Sequence, residues 1–118
     1  MEKTNFEKLD VYKLSENLSD IIWNIVLTWS PFARATIGSQ IVKAADSIGA
    51  NITEGTGKRN MLDNKRFAKI ARGSLFEAKH WLRRSVKRNL LQKEEIEKLK
   101  EIIDELSPRL SAYINSIK

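Results

Sequence analysis

The stretch Ile37–Gly57, IGSQIVKAADSIGANITEGTG, decides the fold. Its apolar residues Ile37, Ile41, Ala44, Ala45, Ile48 and Ile52 recur mainly at steps of three and four, which places them on one face of an α-helix. Gly55 and Gly57 follow, either one suited to a left-handed helix cap. Upstream, Leu14, Leu18, Ile21, Ile22, Ile25, Val26 and Trp29 repeat the pattern, with Asp10 as a start and Ser30-Pro31 as a stop. Downstream, Phe67, Ile70, Ala71, Ser74, Leu75, Ala78, Trp81 and Leu82 form a third run, capped by Asn60 or Asp63 and fading near Asn89. A fourth joins Ile96, Leu99, Ile102, Ile103, Leu106, Leu110, Tyr113, Ile114 and Ile117, with a kink or break expected where Pro108 follows Ser107. No strand-like alternation competes.

The sequence therefore predicts helices over roughly 10–29, 37–55, 61–89 and 93–117, joined by short connections. Short connections favour antiparallel neighbours, so the expected fold is all-α, an up-down-up-down antiparallel four-helix bundle, with 1–118 as a single domain. The composition agrees. The chain has 118 residues, 42% of them hydrophobic, and only 5 Gly and 2 Pro, too few for the turns of a β-sandwich or barrel. It has no Cys, which excludes disulfides and thiolate chemistry, and a single His, which rules out a multi-histidine metal site within one chain. The polar, acidic opening MEKTNFEKLD lacks the apolar centre of a signal peptide, and no apolar run approaches membrane-spanning length. A cytoplasmic location is expected.

The net charge of +6 is unevenly placed. Residues 58–88 hold 11 Lys and Arg against 2 Asp and Glu, a net of +9, whereas residues 1–57 carry −2 and residues 89–118 carry −1. On a helical wheel at about 100° per residue, Lys65, Lys69, Arg72, Lys79, Arg83 and Lys87 fall on one stripe, with Phe76 inside it. Lys58 and Arg59 extend its end. Phe67, Ala71, Ser74, Ala78, Trp81 and Leu82 are expected on the opposite, core side. Like charges one helical turn apart repel by a few tenths of a kcal/mol, so such a stripe suggests an anionic partner, the other reading being a plain solvated helix face. Basic groups around an exposed aromatic suit the backbone of RNA or DNA. An acidic protein surface or a neighbouring subunit suits the same charge. A membrane-surface role is disfavoured because Trp81 is expected on the core side.

The helix over 37–55 carries a second strip, Gln40, Lys43, Ser47, Asn51 and Glu54. Short and amide side chains beside a core read either as ordinary solvated polarity or as a partly buried hydrogen-bond network, in which Glu54 would pair with Arg59, Arg66 or Arg72. Glu54–Arg59 has the look of a phosphate loop and departs from one. Ile52 stands where the first Gly belongs, Arg59 follows the Lys in place of Ser or Thr, and a helix precedes the loop. Glu77 and His80 make one Glu-x-x-His pair, and a di-iron bundle needs a second. No base accompanies Ser47 or Ser74. No catalytic residues, metal or cofactor are expected. Glu94, Glu95, Glu97, Glu101 and Glu105 read as a solvated face or as the electrostatic complement of the basic helix.

Gln40-Ile41-Val42-Lys43-Ala44-Ala45-Asp46-Ser47-Ile48-Gly49-Ala50-Asn51-Ile52-Thr53-Glu54-Gly55 resembles the hallmark Q-x-x-R-A-x-x-S-I-x-x-N-I-x-E-G of the 23S rRNA intervening sequence proteins. Lys43 stands where that family often has Arg. Arg66-Phe67 and Ile70-Ala71-Arg72-Gly73-Ser74-Leu75-Phe76-Glu77 are similar to the family's continuation, and Leu9–Lys13 to its start. Ser30–Arg34 replaces the family's acidic, proline-bearing stretch. The resemblance implies a bacterial homopentamer of four-helix bundles without established molecular activity. A related branch, the accessory variability protein of diversity-generating retroelements, implies nucleic acid and a reverse transcriptase as partners. The family resemblance also implies that Gln40, Lys43, Ser47, Asn51, Glu54, Arg66, Ser74 and Glu77 are structural or subunit-contact residues. The combined expectation is a non-enzymatic homo-oligomer binding RNA or DNA through the third helix. The alternative is an interaction scaffold for an acidic partner.

Overall fold

The computed structural model describes residue 6 and residues 9–117. Most of the polar opening stretch and both ends of the expected 1–118 domain therefore lie outside the described residues. The elements are α1 (Asp10–Val26), α2 (Pro31–Ala33), a π-helical turn (Arg34–Gly38), α3 (Ser39–Thr56), α4 (Met61–Lys87) and α5 (Lys93–Ser116). No strand occurs among the described residues, and none of their helices is long and apolar enough to cross a membrane.

Each long helix packs on its neighbours in the chain, and α5 closes the set against α1. Their directions follow from facing residues. Gly55 abuts Asn64 while Ser47 meets Ser74, so α3 descends as α4 rises. Gly49 abuts Tyr12 and Ser15 while Gly38 abuts Val26, so α1 and α3 are antiparallel too. The result is the four-helix bundle expected from periodicity. Its core stacks Leu18, Ile22, Ile41, Ile48, Ile52, Leu75, Leu106, Leu110 and Ile114, all essentially without solvent contact.

Four local expectations are corrected. Ser30-Pro31 does not merely end the first helix. The Ser30 hydroxyl accepts from the Ala33 N–H and Pro31 occupies the first helical position, so the second helical segment begins at residue 31 rather than 37. Ser at the cap with Pro at the first helical position is a strong start signal because proline's missing N–H costs nothing there. Secondly, α1 ends at Val26, three residues early, in a turn where the Trp29 N–H bonds to the Val26 carbonyl. Thirdly, α5 runs unbroken through Pro108, which sits on the exposed face. There the carbonyl deprived of its N–H partner is on the water side.

Finally, neither glycine is a left-handed cap. Gly57 has φ −79°, and Gly55 is a buried residue of α3. A Cβ on Gly55 would lie 2.7 Å from Asn64 Oδ1 and 3.1 Å from the Asn64 carbonyl oxygen. Its role is close approach of two backbones. The left-handed cap is Asn89, φ 58°, at the end of α4. There Leu90 N–H bonds to the Ser85 carbonyl and Asn89 N–H to that of Val86, the double closure of a Schellman motif.

Two glycine substitutions should have opposite signs. Gly55→Ala should lower stability by about 1–3 kcal/mol, since α3 and α4 must separate. Gly73→Ala, where a Cβ meets nothing within 4 Å, should raise it by about 0.5–1 kcal/mol through helix propensity. The urea midpoints of the two variants measure both.

Candidate nucleic-acid interface

The basic helix α4 is well delimited. The Asn60 side chain accepts from the Leu62 N–H at 2.7 Å, Asp63 sits in the first turn, and Arg84 and Lys87 sit in the last. That arrangement complements the helix dipole. Its buried face is Ala68, Ala71, Leu75, Ala78, Leu82 and Ser85. Phe67, Ser74 and Trp81, expected among the core residues, are half-buried at the edge facing outward from it. The expected wheel thus needs turning toward α5.

The stripe exists. Lys69, Arg83 and Lys87 are exposed, and Lys65 and Arg72 are half-buried. None of these five forms an ion pair among the described residues. Phe76 is 56% exposed within it, with Lys79 Nζ 5.4 Å from the ring centroid. Lys79 also donates to Ser107 Oγ of α5 at 3.1 Å. Lys58 turns back, pairing with Glu54 at 3.1 Å and lying over the Phe67 ring, while Arg59 is exposed in the connecting loop. The two acids of α4 do not neutralise the stripe. Asp63 pairs with Arg66, and Glu77 accepts from Trp81 Nε1. The acidic side of α5 does not reach it either. Lys100 pairs with Asp104 and Arg109 with Glu105 and Asp10, so no described ion pair joins α4 to α5.

The polar strip of α3 is only partly a network. Asn51 donates to the Ser47 carbonyl at 2.8 Å and to Ser47 Oγ at 3.0 Å, and Ser74 Oγ lies 3.0 Å from Ser47 Oγ. The Ser47–Ser74 bond joins α3 to α4, and Asn51 holds Ser47 from within α3. Gln40 and Lys43 are exposed and outside it. Glu54 finds Lys58 rather than Arg59, Arg66 or Arg72, because the next residue down the chain is one helical turn away. Arg66 is instead an outer residue, stacked over Phe67 at 4.7 Å. His80 packs edge-on against Trp81, and no group of three metal-ligating side chains occurs among the described residues.

Tyr113 of α5 has its pKa raised above 10.0 by burial, opposed by a hydrogen bond from the Asn64 side chain. Its neutral form is favoured in the fold, so its contribution is present below pH 10 and is lost as pH rises through the raised value.

Sequence reasoning missed one feature. Trp23 (53% exposed), Leu27 (52%) and Phe32 (79%) lie open to solvent around the start of the second helical segment. Trp29 is buried and Trp81 half-buried, so the three tryptophans have three different settings. The signal available was spacing, since Trp23 and Leu27 are one turn apart on the side of α1 away from its apolar run.

The profile of one protein family, the 23S rRNA-intervening sequence proteins, matches residues 7–112. The chain belongs to that family. The fold has a counterpart in a solved structure from Bacteroides thetaiotaomicron, described as a protein with unknown function from the S23 ribosomal protein family. The two share 22% identity and a TM-score of 0.79, over 90% of this chain and 99% of that one. No curated protein matches the sequence. The likeness to that structure is one of fold, and in this chain Ser47, Gly55 and Ser74 lie where α3 meets α4.

Two predictions follow from these contacts. Ser74→Ala should cost about 0.5–1.5 kcal/mol in denaturant unfolding, whereas Gln40→Ala should fall within about 0.5 kcal/mol of the parent. Tyr113→Phe should flatten the loss of stability above pH 10, measured as thermal midpoint against pH.

Proposed function

We propose that the chain is a non-catalytic, homo-oligomeric scaffold of the cytoplasm that holds RNA or DNA by its phosphate backbone along α4. The observation that carries this reading is the row of unpaired cations Lys65, Lys69, Arg72, Arg83 and Lys87 on one outward stripe. Phe76 beside them offers a stacking face for an unpaired base, and Arg59 extends the stripe at its loop end. Contacts of this kind position a backbone without reading sequence, so binding is weakly specific. The family resemblance supports a pentamer, in which each further copy adds phosphate contacts. Neither the stripe nor the Ser47–Asn51–Ser74 network assembles a nucleophile, a base and a pocket, and this supports a binding role.

A second reading is favoured by one observation. Lys79 and Arg83 rim an apolar seam between α4 and α5, a setting suited to protein contact. The partner there would be a neighbouring subunit or an acidic protein such as a reverse transcriptase.

A salt titration tests the first reading. For single-stranded RNA, log K against log salt should fall with a slope of about −0.7 per phosphate neutralised. The double variant Lys69→Glu, Arg72→Glu should lower affinity by more than about tenfold and flatten that slope, with the oligomer retained. A flat salt response in the parent, or no binding at low salt, ends the reading.

A further inference from the structure

The first turn of α4 holds two apolar side chains in open solvent, Met61 (60% exposed) and Leu62 (78%). On a wheel at about 100° per residue they fall on either side of the midline of the cation stripe, each within about 60° of it. The stripe therefore does not stop at Lys65. It runs on into an apolar tip, and the exposed Arg59 stands in the loop just before that tip. A single exposed leucine is ordinary. Two adjacent apolar side chains at the projecting end of a row of cations make a small wedge with charge behind it.

The acids beside the wedge are already engaged. Asp63 pairs with Arg66 at 3.6 Å, and Glu54 with Lys58 at 3.1 Å. Arg59, Lys65 and Lys69 form no ion pair among the described residues. The turn itself is well held. Asn60 caps it at the Leu62 N–H, the Asn64 backbone lies against Gly55, and Lys58 and Arg66 both stack on the Phe67 ring. A fixed helical turn, rather than a loose loop, presents the two side chains.

Their chemistry narrows the ligand. Aromatic rings suit unpaired bases, because they stack on them. Leucine and methionine have no π face, and instead suit the gap between stacked base pairs, where an apolar wedge opens one step and kinks the duplex. The cations from Lys65 to Lys87 span about 33 Å at about 1.5 Å per residue, close to the length of one duplex turn. A kink at the wedge lets a duplex turn toward that row and meet more of it. A lipid surface suits the geometry less well. A bilayer met by the tip leaves Lys79 about 25 Å away along α4, well beyond a Debye length of about 8 Å.

We propose that Met61 and Leu62 form an intercalating wedge, and that the ligand of the stripe is a base-paired nucleic acid with a weak step, a bulge or a mismatch. Little stacking has to be broken at such a step, so the wedge enters there in preference to a perfect duplex. The inference rests on the backbone-binding reading above and adds to it the class of ligand. The stripe supplies affinity for any phosphate backbone, and the wedge supplies the choice among them. An interrupted duplex of DNA and one of RNA offer the same chemistry, so both are assayed.

Fluorescence anisotropy on the full chain tests this, with duplexes of about two turns, perfect or bulged at the centre. The parent should bind the bulged duplex about tenfold more tightly than the perfect one, in the kind of nucleic acid that is its ligand. A 2-aminopurine beside the bulge should brighten on binding as its stacking is lost. The double variant Met61→Ser, Leu62→Ser, at two exposed positions, should keep the parent's circular dichroism and salt slope and lose both the preference and the brightening. The double variant Met61→Leu, Leu62→Met keeps an apolar tip and should retain both. A parent that binds with steep salt dependence but holds perfect and bulged duplexes equally overturns the wedge and leaves the backbone reading standing. A preference that survives in the serine variant does the same. No salt-dependent binding to any of these nucleic acids overturns both. Capture by phosphatidylserine vesicles that the serine variant loses, with no bulge preference in the parent, overturns the wedge and assigns the pair to a membrane surface.

Discussion

The close contact of α3 with α4 sets the rest of the molecule. Two helices approach this near only where side chains are small, and here Gly55 lies against the Asn64 backbone while two serines meet at Ser47 and Ser74. The buried face of α4 continues the theme, with Ala68, Ala71 and Ala78 between Leu75 and Leu82. Close packing gains dispersion contacts over a long seam. It also removes rotational freedom. Once Ser74 must face Ser47, α4 cannot turn about its axis, and the position of every other side chain on it is fixed. The basic stripe points outward because an unrelated pair of hydroxyls is held at the α3–α4 seam.

That coupling explains how the chain sustains a feature that opposes folding. Repulsion along the stripe amounts to a few tenths of a kcal/mol per pair, small beside the burial of a leucine or isoleucine at about 1.5–3 kcal/mol. Lys79, anchored on Ser107 and lying over Phe76, shows one way in which the stripe is tied to its surroundings. Lys58 shows another, being neutralised by Glu54. Among the described residues, the cations left unpaired are those that no acid reaches, although α5 carries several.

Much of the fold was legible because apolar periodicity is a global property that local errors do not erase. Four runs of apolar residues became four long helices. The boundaries were less legible where one residue pair satisfies two rules. Ser30-Pro31 can stop a helix or start one, and only the Ser30 hydroxyl on the Ala33 N–H decides. Pro108 breaks a helix in isolation but is tolerated where its face meets water. Gly55 could be permissive in φ or small in volume, and the distinction depends on Asn64, a residue far enough along the chain that spacing does not report it. For the candidate site, the charge stripe and the Ser47–Asn51 pair were readable from spacing, whereas spacing puts Ser74 on the core side and only the family resemblance marks it as structural. The partner of Glu54 was not, since four cations follow within reach. Trp23 was not, since an indole at helical spacing suits a core or a contact equally.

The π-helical turn at Arg34–Gly38 has a consequence of its own. Its i→i+5 bonding takes up one residue more than an α turn, so it acts as a vernier between two helical segments. The segment starting at Pro31 takes its orientation from the α1 end, where Trp29 is buried. The segment starting at Ser39 takes its orientation from α4, through Ser47 and Gly55. Two anchors placed independently would not share one helical phase, and the surplus residue absorbs the mismatch without a loop. Ala33, Ile37 and Gly38 of that linkage are buried, and a Cβ on Gly38 would lie 2.8 Å from Val26 Cγ1, so the join is clamped on α1 while the packed pair beyond it keeps its own alignment.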